Sequence, residues 1–216
     1  MDNNDYAVLT GDIMKSSVLS SAELNRALEQ IRMVPGMMNA VFPEAVHTTV
    51  DIIRGDGWQI LVLEPGYALR TALLLRVSMK ELFTLDTRVS VGIGPVEKIL
   101  NDSLARSKGL AFTRSGRGLD SMKLKKQRMV YYSSETLNRI NSAESLLVEW
   151  LDVMVSPASR SQARFLGRAL LKWKQKQIAE KTGVTQSSVS EGLKSIGWNE
   201  IKSVLKHFEK YRHNNR

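Results

Sequence analysis

The chain has 216 residues, of which 43% are hydrophobic and 25% charged, so it is long enough for one large or two modest globular domains. It contains no cysteine, which excludes disulfides, thiolate metal sites and cysteine nucleophiles. The net charge of +9 is uneven, because residues 151–216 hold 13 basic and 5 acidic residues, whereas residues 1–150 hold 18 and 17. A polar start and the lack of a long apolar run predict a cytoplasmic protein without membrane spans.

The first predicted elements are a strand and a helix. The apolar run 6–10 predicts a buried strand. Ser20 and Glu23 have the spacing of a capping box, and the apolar residues after them recur with a helical period, so a helix is expected to begin there. Pro35 and Gly36 are expected to end this helix, because proline and glycine disfavour helix interiors.

Two strands, a second helix and a fourth strand follow. The runs 46–53 and 58–63 predict strands joined by a tight turn, Pro65 begins the second helix, and the alternation in 88–94 predicts a half-buried strand. The order is therefore β-α-β-β-α-β, which is the ferredoxin-like arrangement of the α+β class. In that topology an antiparallel sheet carries two helices on one face, and its first and third strands are central.

Two acidic residues stand at the ends of these predicted strands. Asp12 follows the first strand, and Asp56 lies between Gly55 and Gly57, where an Asp-Gly pair first of all predicts a hairpin turn. Because the first and third strands are neighbours, we expect both carboxylates at one edge of the sheet. Carboxylate oxygens suit Mg²⁺, so Asp12 and Asp56 are candidate ligands of a shared divalent cation.

The region after residue 100 is predicted to hold a basic helix, a strand and further helical structure, over 112–126, 129–132 and 134–154. Pro157 disfavours helix at the residue before it, and Ser159 can cap a helix that follows. We therefore predict two domains, residues 1–155 and 156–216.

The segment 175–194 matches the helix-turn-helix pattern. Ala179 is small where two helices cross, and Gly183 stands where the turn requires a positive φ. Val184 and Val189 are spaced to pack back on the first helix. Because the basic surplus lies in the same part of the chain, DNA binding is favoured over a helix-turn-helix that contacts only protein.

The candidate DNA-contacting residues lie on the second helix and beside it. Glutamine and serine side chains can hydrogen-bond base edges, whereas lysines and backbone amides hold phosphates. The candidates are Lys176, Thr185, Gln186, Ser187, Ser190 and Lys194.

Three N-terminal motifs, in this order, resemble those of class III nucleotidyl cyclases: Gly11-Asp12-Ile13, Gly55-Asp56-Gly57 and the strand from Arg88 to Gly94. The resemblance covers roughly residues 6–120. It implies that Asp12 and Asp56 hold divalent ions, with Mg²⁺ as the expected cofactor, and that the turn after Asp12 offers amides to the phosphates of a nucleotide. The implied nucleotide-binding residues are Ile13, Lys15, Ser16, Ser17 and Gly55.

The catalytic part of this resemblance is incomplete. The family carries an Asn-x-x-x-Arg pair on a helix, which orients the ribose and stabilises the transition state. The best match is Thr113 with Arg117, where the arginine fits but threonine replaces asparagine. These two residues are the catalytic candidates, and their mismatch implies nucleotide binding with absent or very slow turnover.

The domain order, with Leu9–Ile13 near the start, Gly109–Arg114 in the middle and a helix-turn-helix at the end, resembles the SatD-like family. We interpret the chain as a DNA-binding transcriptional regulator whose palm binds a nucleotide, and we expect a homodimer because both implied modules commonly pair. One alternative is an active, metal-dependent nucleotidyl cyclase or nucleotidyltransferase that the tail recruits to nucleic acid. Another is a DNA-binding protein whose palm serves only for dimerisation.

Overall fold

The computed structural model describes residues 5–53, 55–100, 103–122, 126–133 and 142–210. Short 3₁₀ helices occur at 16–18, 65–67 and 104–106. The strands are β1 (Asp5–Ile13), β2 (Val46–Ile53), β3 (Gly57–Val62), β4 (Thr87–Lys98), β5 (Lys108–Gly109) and β6 (Met129–Tyr132). The α-helices are α1 (Ser21–Asn39), α2 (Ala68–Phe83), α3 (Leu110–Met122), α4 (Ala143–Val155), α5 (Arg160–Leu170), α6 (Gln175–Thr182), α7 (Gln186–Ser195) and α8 (Trp198–Lys210).

The strands form one sheet in the order β2-β3-β1-β4-β5, and β6 also pairs with β4. The pairs β1–β3, β1–β4 and β2–β3 are antiparallel, whereas β6 runs parallel to β4. The first four strands with α1 and α2 therefore have the predicted ferredoxin-like topology, with β1 and β3 central. The ferredoxin-like α+β fold is confirmed, and the chain continues from it into a helical region.

Alternation along β1 separates the two faces of the sheet. Ala7, Leu9 and Ile13 belong to the large core under α1 and α2, whereas Val8 belongs to a smaller core on the opposite face. Helix α3 covers that opposite face. Its approach to β4 requires Gly92, since a Cβ there would collide with the backbone of α3.

The end of α1 differs from the prediction. The capping box of Ser20 and Glu23 is present, but the helix continues past Pro35 to Asn39. An interior proline normally costs a helix about 3 kcal/mol, because it removes one backbone hydrogen bond and crowds the preceding turn. Here Val34, Pro35 and Met38 are all buried, so tertiary packing holds the helix through the proline.

The C-terminal helices share the core of the sheet. One hydrophobic cluster runs from the strands through Leu151 of α4 and Leu166 of α5 to Leu205 of α8. The predicted domain boundary falls between α4 and α5, where Ser159 caps α5 in a capping box with Gln162, as expected for that serine. Across the described ranges, no helix combines the length and the apolar character that crossing a membrane requires.

A fully buried arginine in α2 connects these parts. Arg76 donates to both carboxylate oxygens of Asp86, at 3.0 and 2.8 Å, and to Asp152 of α4 at 2.8 Å. Burial alone would lower the pKa of Arg76, but the hydrogen bond and charge of Asp86, together with Asp152, outweigh burial and raise it. Burial alone would raise the pKa of Asp86, but the hydrogen bond and charge of Arg76 lower it.

Two further ion pairs attach the C-terminal helices to α2. Arg70 pairs with Glu209 of α8 at 2.7 Å. Glu81, at the other end of α2, pairs with Arg168 of α5 at 3.1 Å and with Arg164 at 3.4 Å. Helix α2 therefore contacts the sheet on one side and the C-terminal helices on the other.

The buried ion pair between Arg76 and Asp152 predicts that substitution of Asp152 strongly destabilises the fold. We expect Asp152→Ala to lower the free energy of unfolding by about 3–5 kcal/mol, because it leaves part of a buried guanidinium without its counter-charge. Urea unfolding of the full chain measures this. Arg32→Ala, which removes an exposed pair with Glu29, is the control and should cost well under about 1 kcal/mol. Equal losses in the two variants would contradict the role given to Arg76.

Asp86 also predicts how stability depends on pH. Because its pKa is lowered in the folded chain, its contribution is present above the unfolded-state pKa of about 3.9 and is lost as the pH falls through the lower folded-state value. Asp86→Asn should therefore be less stable than wild type at pH 7, with a gap that narrows below about pH 4. Urea unfolding of both proteins, from pH 7 to below about pH 4, measures the difference in their free energies of unfolding. A difference that does not change with pH would contradict the prediction.

Candidate functional site

The two predicted acidic residues lie at one edge of the sheet. Asp12 is opposite Gly57 in the β1–β3 register, and the amide of Ile13 donates to the carbonyl oxygen of Asp56 at 3.2 Å. The antiparallel pairing of β1 with β3 is what brings the end of one strand beside the β2–β3 turn. The structure thus places Asp12 and Asp56 close in the fold, although 44 positions separate them in the sequence.

The carboxylate of Asp12 already has a cationic partner. Arg88, opposite it in β4, donates Nε to Oδ1 at 2.7 Å and Nη2 to Oδ2 at 2.6 Å. Such a bidentate pair is among the stronger charge-assisted contacts. Asp56, in turn, accepts a hydrogen bond from the hydroxyl of Ser16. The sequence alone does not reveal this partner of Asp12, because Arg88 lies 76 positions away and the pairing depends on the register of β1 with β4.

This arrangement does not fit a Mg²⁺ site as it stands. A divalent ion at Asp12 would have to displace a guanidinium that already neutralises the carboxylate. Within the described ranges, no cluster of three or more histidine, aspartate or glutamate side chains could hold a metal. Binding of Mg²⁺ at Asp12 and Asp56 therefore stays a prediction that a binding measurement must test.

The predicted phosphate-binding turn is partly engaged in the fold. The amides of Ile13 and Met14 donate to the carbonyls of Asp56 and Asp86, so neither points to a ligand. Lys15 is exposed and has a left-handed backbone with φ 60°, and a 3₁₀ turn begins at Ser16. Ser17 is exposed in that turn, and Gly55, with φ 87°, forms the neighbouring β2–β3 turn.

The catalytic candidates lie on the outer side of α3. Thr113 and Arg117 are one turn apart and exposed, whereas Arg114 and Ser115 of the same helix are buried against the sheet. The hydroxyl of Thr113 donates to the carbonyl of Gly109 at 3.4 Å. Within one chain, these two residues therefore face away from the sheet, and their catalytic role stays a prediction.

Beneath α3 lies a buried polar row that the sequence did not reveal. Gln59 donates to the Thr10 hydroxyl at 3.1 Å, Thr10 lies 2.8 Å from the Ser115 hydroxyl, and Ser115 donates to the Phe112 carbonyl at 3.0 Å. This chain of hydrogen bonds fixes α3 over the sheet. The sequence predicted strands at Thr10 and Gln59 and a helix at Ser115, but only the docking of α3 on the sheet brings these side chains together in a buried row.

The helix-turn-helix is formed by α6 and α7. Gly183 has φ 70°, as the turn requires, and the Thr185 hydroxyl caps α7 by accepting from the Ser188 amide at 3.1 Å. Val189 is fully buried, as predicted, whereas Val184, in the turn before the cap, is 41% exposed. All six DNA-contact candidates are exposed: Lys176, Thr185, Gln186, Ser187, Ser190 and Lys194.

Part of the C-terminal positive charge serves the fold. Arg164 and Arg168 pair with Glu81, and Arg160 donates to the backbone carbonyl of Glu81 at 2.6 Å. These three arginines therefore hold α5 against α2. The charge surplus counted from the sequence therefore overstates the charge that is available to a polyanion. The remaining lysines lie before α6 and on α6, α7 and α8.

Comparisons with known proteins add little to this geometry. No protein-family model matches the chain, so the resemblance to the SatD-like family finds no support there, and no curated protein matches it. Among solved structures, a bacterial light-regulated adenylyl cyclase is similar, with a TM-score of 0.44 and 16% sequence identity. The alignment covers 59% of this chain and 74% of that one. This likeness is too distant to bear on activity, so the fold rests on the strand order itself.

The Asp12–Arg88 pair predicts how this edge of the sheet responds to a divalent ion. We expect Arg88→Met to bind Mn²⁺ at least about tenfold more tightly than wild type, because a hydrogen-bonded counter-charge no longer competes for Asp12. Titration of the full chain followed by electron paramagnetic resonance measures free Mn²⁺. The Arg88→Met, Asp12→Asn double variant is the control and should lose the gain. Unchanged affinity in Arg88→Met would remove Asp12 from the candidate metal ligands.

Proposed function

We propose that this chain is a DNA-binding regulator in which α7 reads DNA and the ferredoxin-like palm binds a nucleotide. The observation that supports it most is the outer face of α7. This face presents Gln186, Ser187 and Ser190 to solvent beside Lys194, which combines groups that hydrogen-bond base edges with a phosphate contact. The exposed Lys176 on α6 lies across the turn from them.

The scaffold supports such a role because it holds α7 firmly. Val189 and Leu193 pack on Phe165 of α5, and Gly192 brings the α7 backbone close to the same ring. Helix α5 is itself fixed on α2 through Glu81. A recognition helix held in this way loses little conformational entropy when it enters a groove. We further propose that the regulator is a homodimer, in which two copies of α7 contact two half-sites.

One feature of α7 bears on sequence preference. Glu191 is exposed on the same face as Ser187, whose hydroxyl donates to it at 3.4 Å. A carboxylate there repels phosphates but can accept a hydrogen bond from the amino group of cytosine. The face therefore favours a base-reading contact over general attraction to DNA.

The palm is proposed to bind its ligand rather than convert it. Thr113 and Arg117 face outward from α3, whereas Asp12 is paired with Arg88 at the edge of the sheet. In one chain the two sets of candidate residues do not face each other. Thr113 also lacks the amide that the resembled family carries at this position, so turnover is expected to be absent or very slow in a homodimer as well.

The DNA proposal predicts different effects for two substitutions. On a site selected from random duplexes, Gln186→Ala should weaken binding by about 1–3 kcal/mol and relax the base preference at one position. Lys176→Ala should weaken binding to all sequences alike and flatten the dependence of log Kd on log salt by about one unit. Fluorescence anisotropy with the full chain at several salt concentrations separates the two effects.

Lys98→Ala is the matched control for this experiment, because it removes an exposed lysine of β4 in the palm. It should leave DNA affinity and its salt dependence unchanged. Absence of salt-sensitive DNA binding by the full chain would refute the proposed function. Equal effects of Lys98→Ala and Lys176→Ala would show that binding reflects overall charge rather than the helix pair.

A further inference from the structure

A small cavity of about 180 Å³ lies where β1, α2 and β4 end or begin. It is lined by Lys15 after β1, Lys80 and Thr84 at the end of α2, Asp86 before β4, and Arg128 before β6. Three cationic side chains and one carboxylate thus surround one opening. Of these, only Lys15 belongs to the residues that the sequence indicated as ligand-binding.

The carboxylate of Asp86 neutralises only part of the positive charge around it. Both oxygens of Asp86 already accept hydrogen bonds from Arg76 behind the cavity. Lys80 pairs with Asp86 at 3.3 Å and donates to the Ser156 carbonyl at 2.8 Å. Arg128 Nε lies 3.9 Å from Asp86, which is beyond hydrogen-bonding distance. The cavity wall therefore carries a surplus of positive charge.

Arg128 contributes an unsatisfied hydrogen-bond donor to the cavity. Its Nε atom is buried and has no hydrogen-bond partner. A buried donor without an acceptor is costly, at about 1–3 kcal/mol or more when charged, and is rare in folded proteins. An anion in the cavity would supply the acceptor.

The backbone at the opening is also unusual. Lys15 and Thr84 both adopt left-handed conformations, with φ of 60° and 56°, although neither is glycine. Such conformations are uncommon for residues with a Cβ and concentrate at binding sites. Both residues line the cavity, and Thr84 is also the residue that caps the C-terminus of α2.

We propose that this cavity binds the phosphate group of a small phosphorylated ligand, with Lys15, Lys80 and Arg128 as its donors. A phosphate brings several strong acceptor oxygens and close to two negative charges, which match two ammonium groups and a guanidinium. The volume is below the roughly 300–1,000 Å³ typical of sites that enclose a whole organic ligand. The cavity therefore accepts the phosphate, and any organic part extends into solvent.

This proposal does not depend on DNA binding, and its test uses the thermal unfolding of the full chain without DNA. Orthophosphate and ATP are added separately in a phosphate-free buffer with EDTA, and sodium chloride at equal ionic strength is the reference. We expect a saturable rise in Tm that chloride does not give. A larger effect of orthophosphate identifies the free ion as the ligand, whereas a larger effect of ATP identifies the terminal phosphate of a nucleotide.

Two variants and one control assign the effect to the cavity. Lys15→Asn removes the charge with a residue that tolerates the left-handed backbone, and Arg128→Gln removes the guanidinium. Each should weaken phosphate binding about tenfold or more, which corresponds to the loss of one charge-assisted hydrogen bond. Lys172→Asn is the matched control, because Lys172 is also left-handed, with φ 61°, but lies outside the cavity.

The result is decisive in either direction. A phosphate-specific rise in Tm that both cavity variants lose and Lys172→Asn keeps supports the site. If phosphate gives no more than chloride, or if Arg128→Gln keeps the full effect, the proposal is wrong. The Arg128→Gln variant also distinguishes binding in this cavity from binding at the predicted phosphate-binding turn, residues 13–17, because Arg128 is not part of that turn.

Discussion

The fold depends on one buried charge. The guanidinium of Arg76 is fully enclosed, and a buried ion is tolerated only where its partners are complete. Those partners come from two places, Asp86 before β4 and Asp152 in α4, so the palm and the first C-terminal helix must meet in a single arrangement. The same pair sets the position of Lys80 and Arg128, because both lie beside Asp86 at the small cavity. The ion pair that stabilises the fold thereby also shapes the cavity lined by Lys15, Lys80 and Arg128.

Local signals predicted much of this molecule. Local patterns predicted the strands of the ferredoxin-like motif and their order, and the caps at Ser20 and Ser159 form as expected. The predicted end of α1 at Pro35 was wrong, because burial of this proline outweighs its local tendency to end a helix. Such an effect arises from tertiary packing, which sequence periodicity does not measure.

The candidate site was predictable only in its location. The strand order brought Asp12 and Asp56 to one edge, but the partner of Asp12 depends on the register with Arg88. The direction of Thr113 and Arg117 likewise depends on which side of α3 packs on the sheet. A signal for the buried network was nevertheless present, since Arg76 interrupts an otherwise apolar run in α2. A charge within such a run indicates a partner elsewhere in the chain.

The position of α2 has a consequence for synthesis of the chain on the ribosome. Residues 68–79 of α2 are buried, including Arg70 and Arg76. Glu209, the partner of Arg70, follows it by 139 positions, and Asp152, which completes the pairing of Arg76 with Asp86, follows Arg76 by 76. A nascent chain that has completed β4 holds all the strands of the ferredoxin-like motif but leaves one side of α2 uncovered. Folding of the palm is therefore expected to finish only after α8 has left the exit tunnel, and until then this surface is a natural target for chaperones.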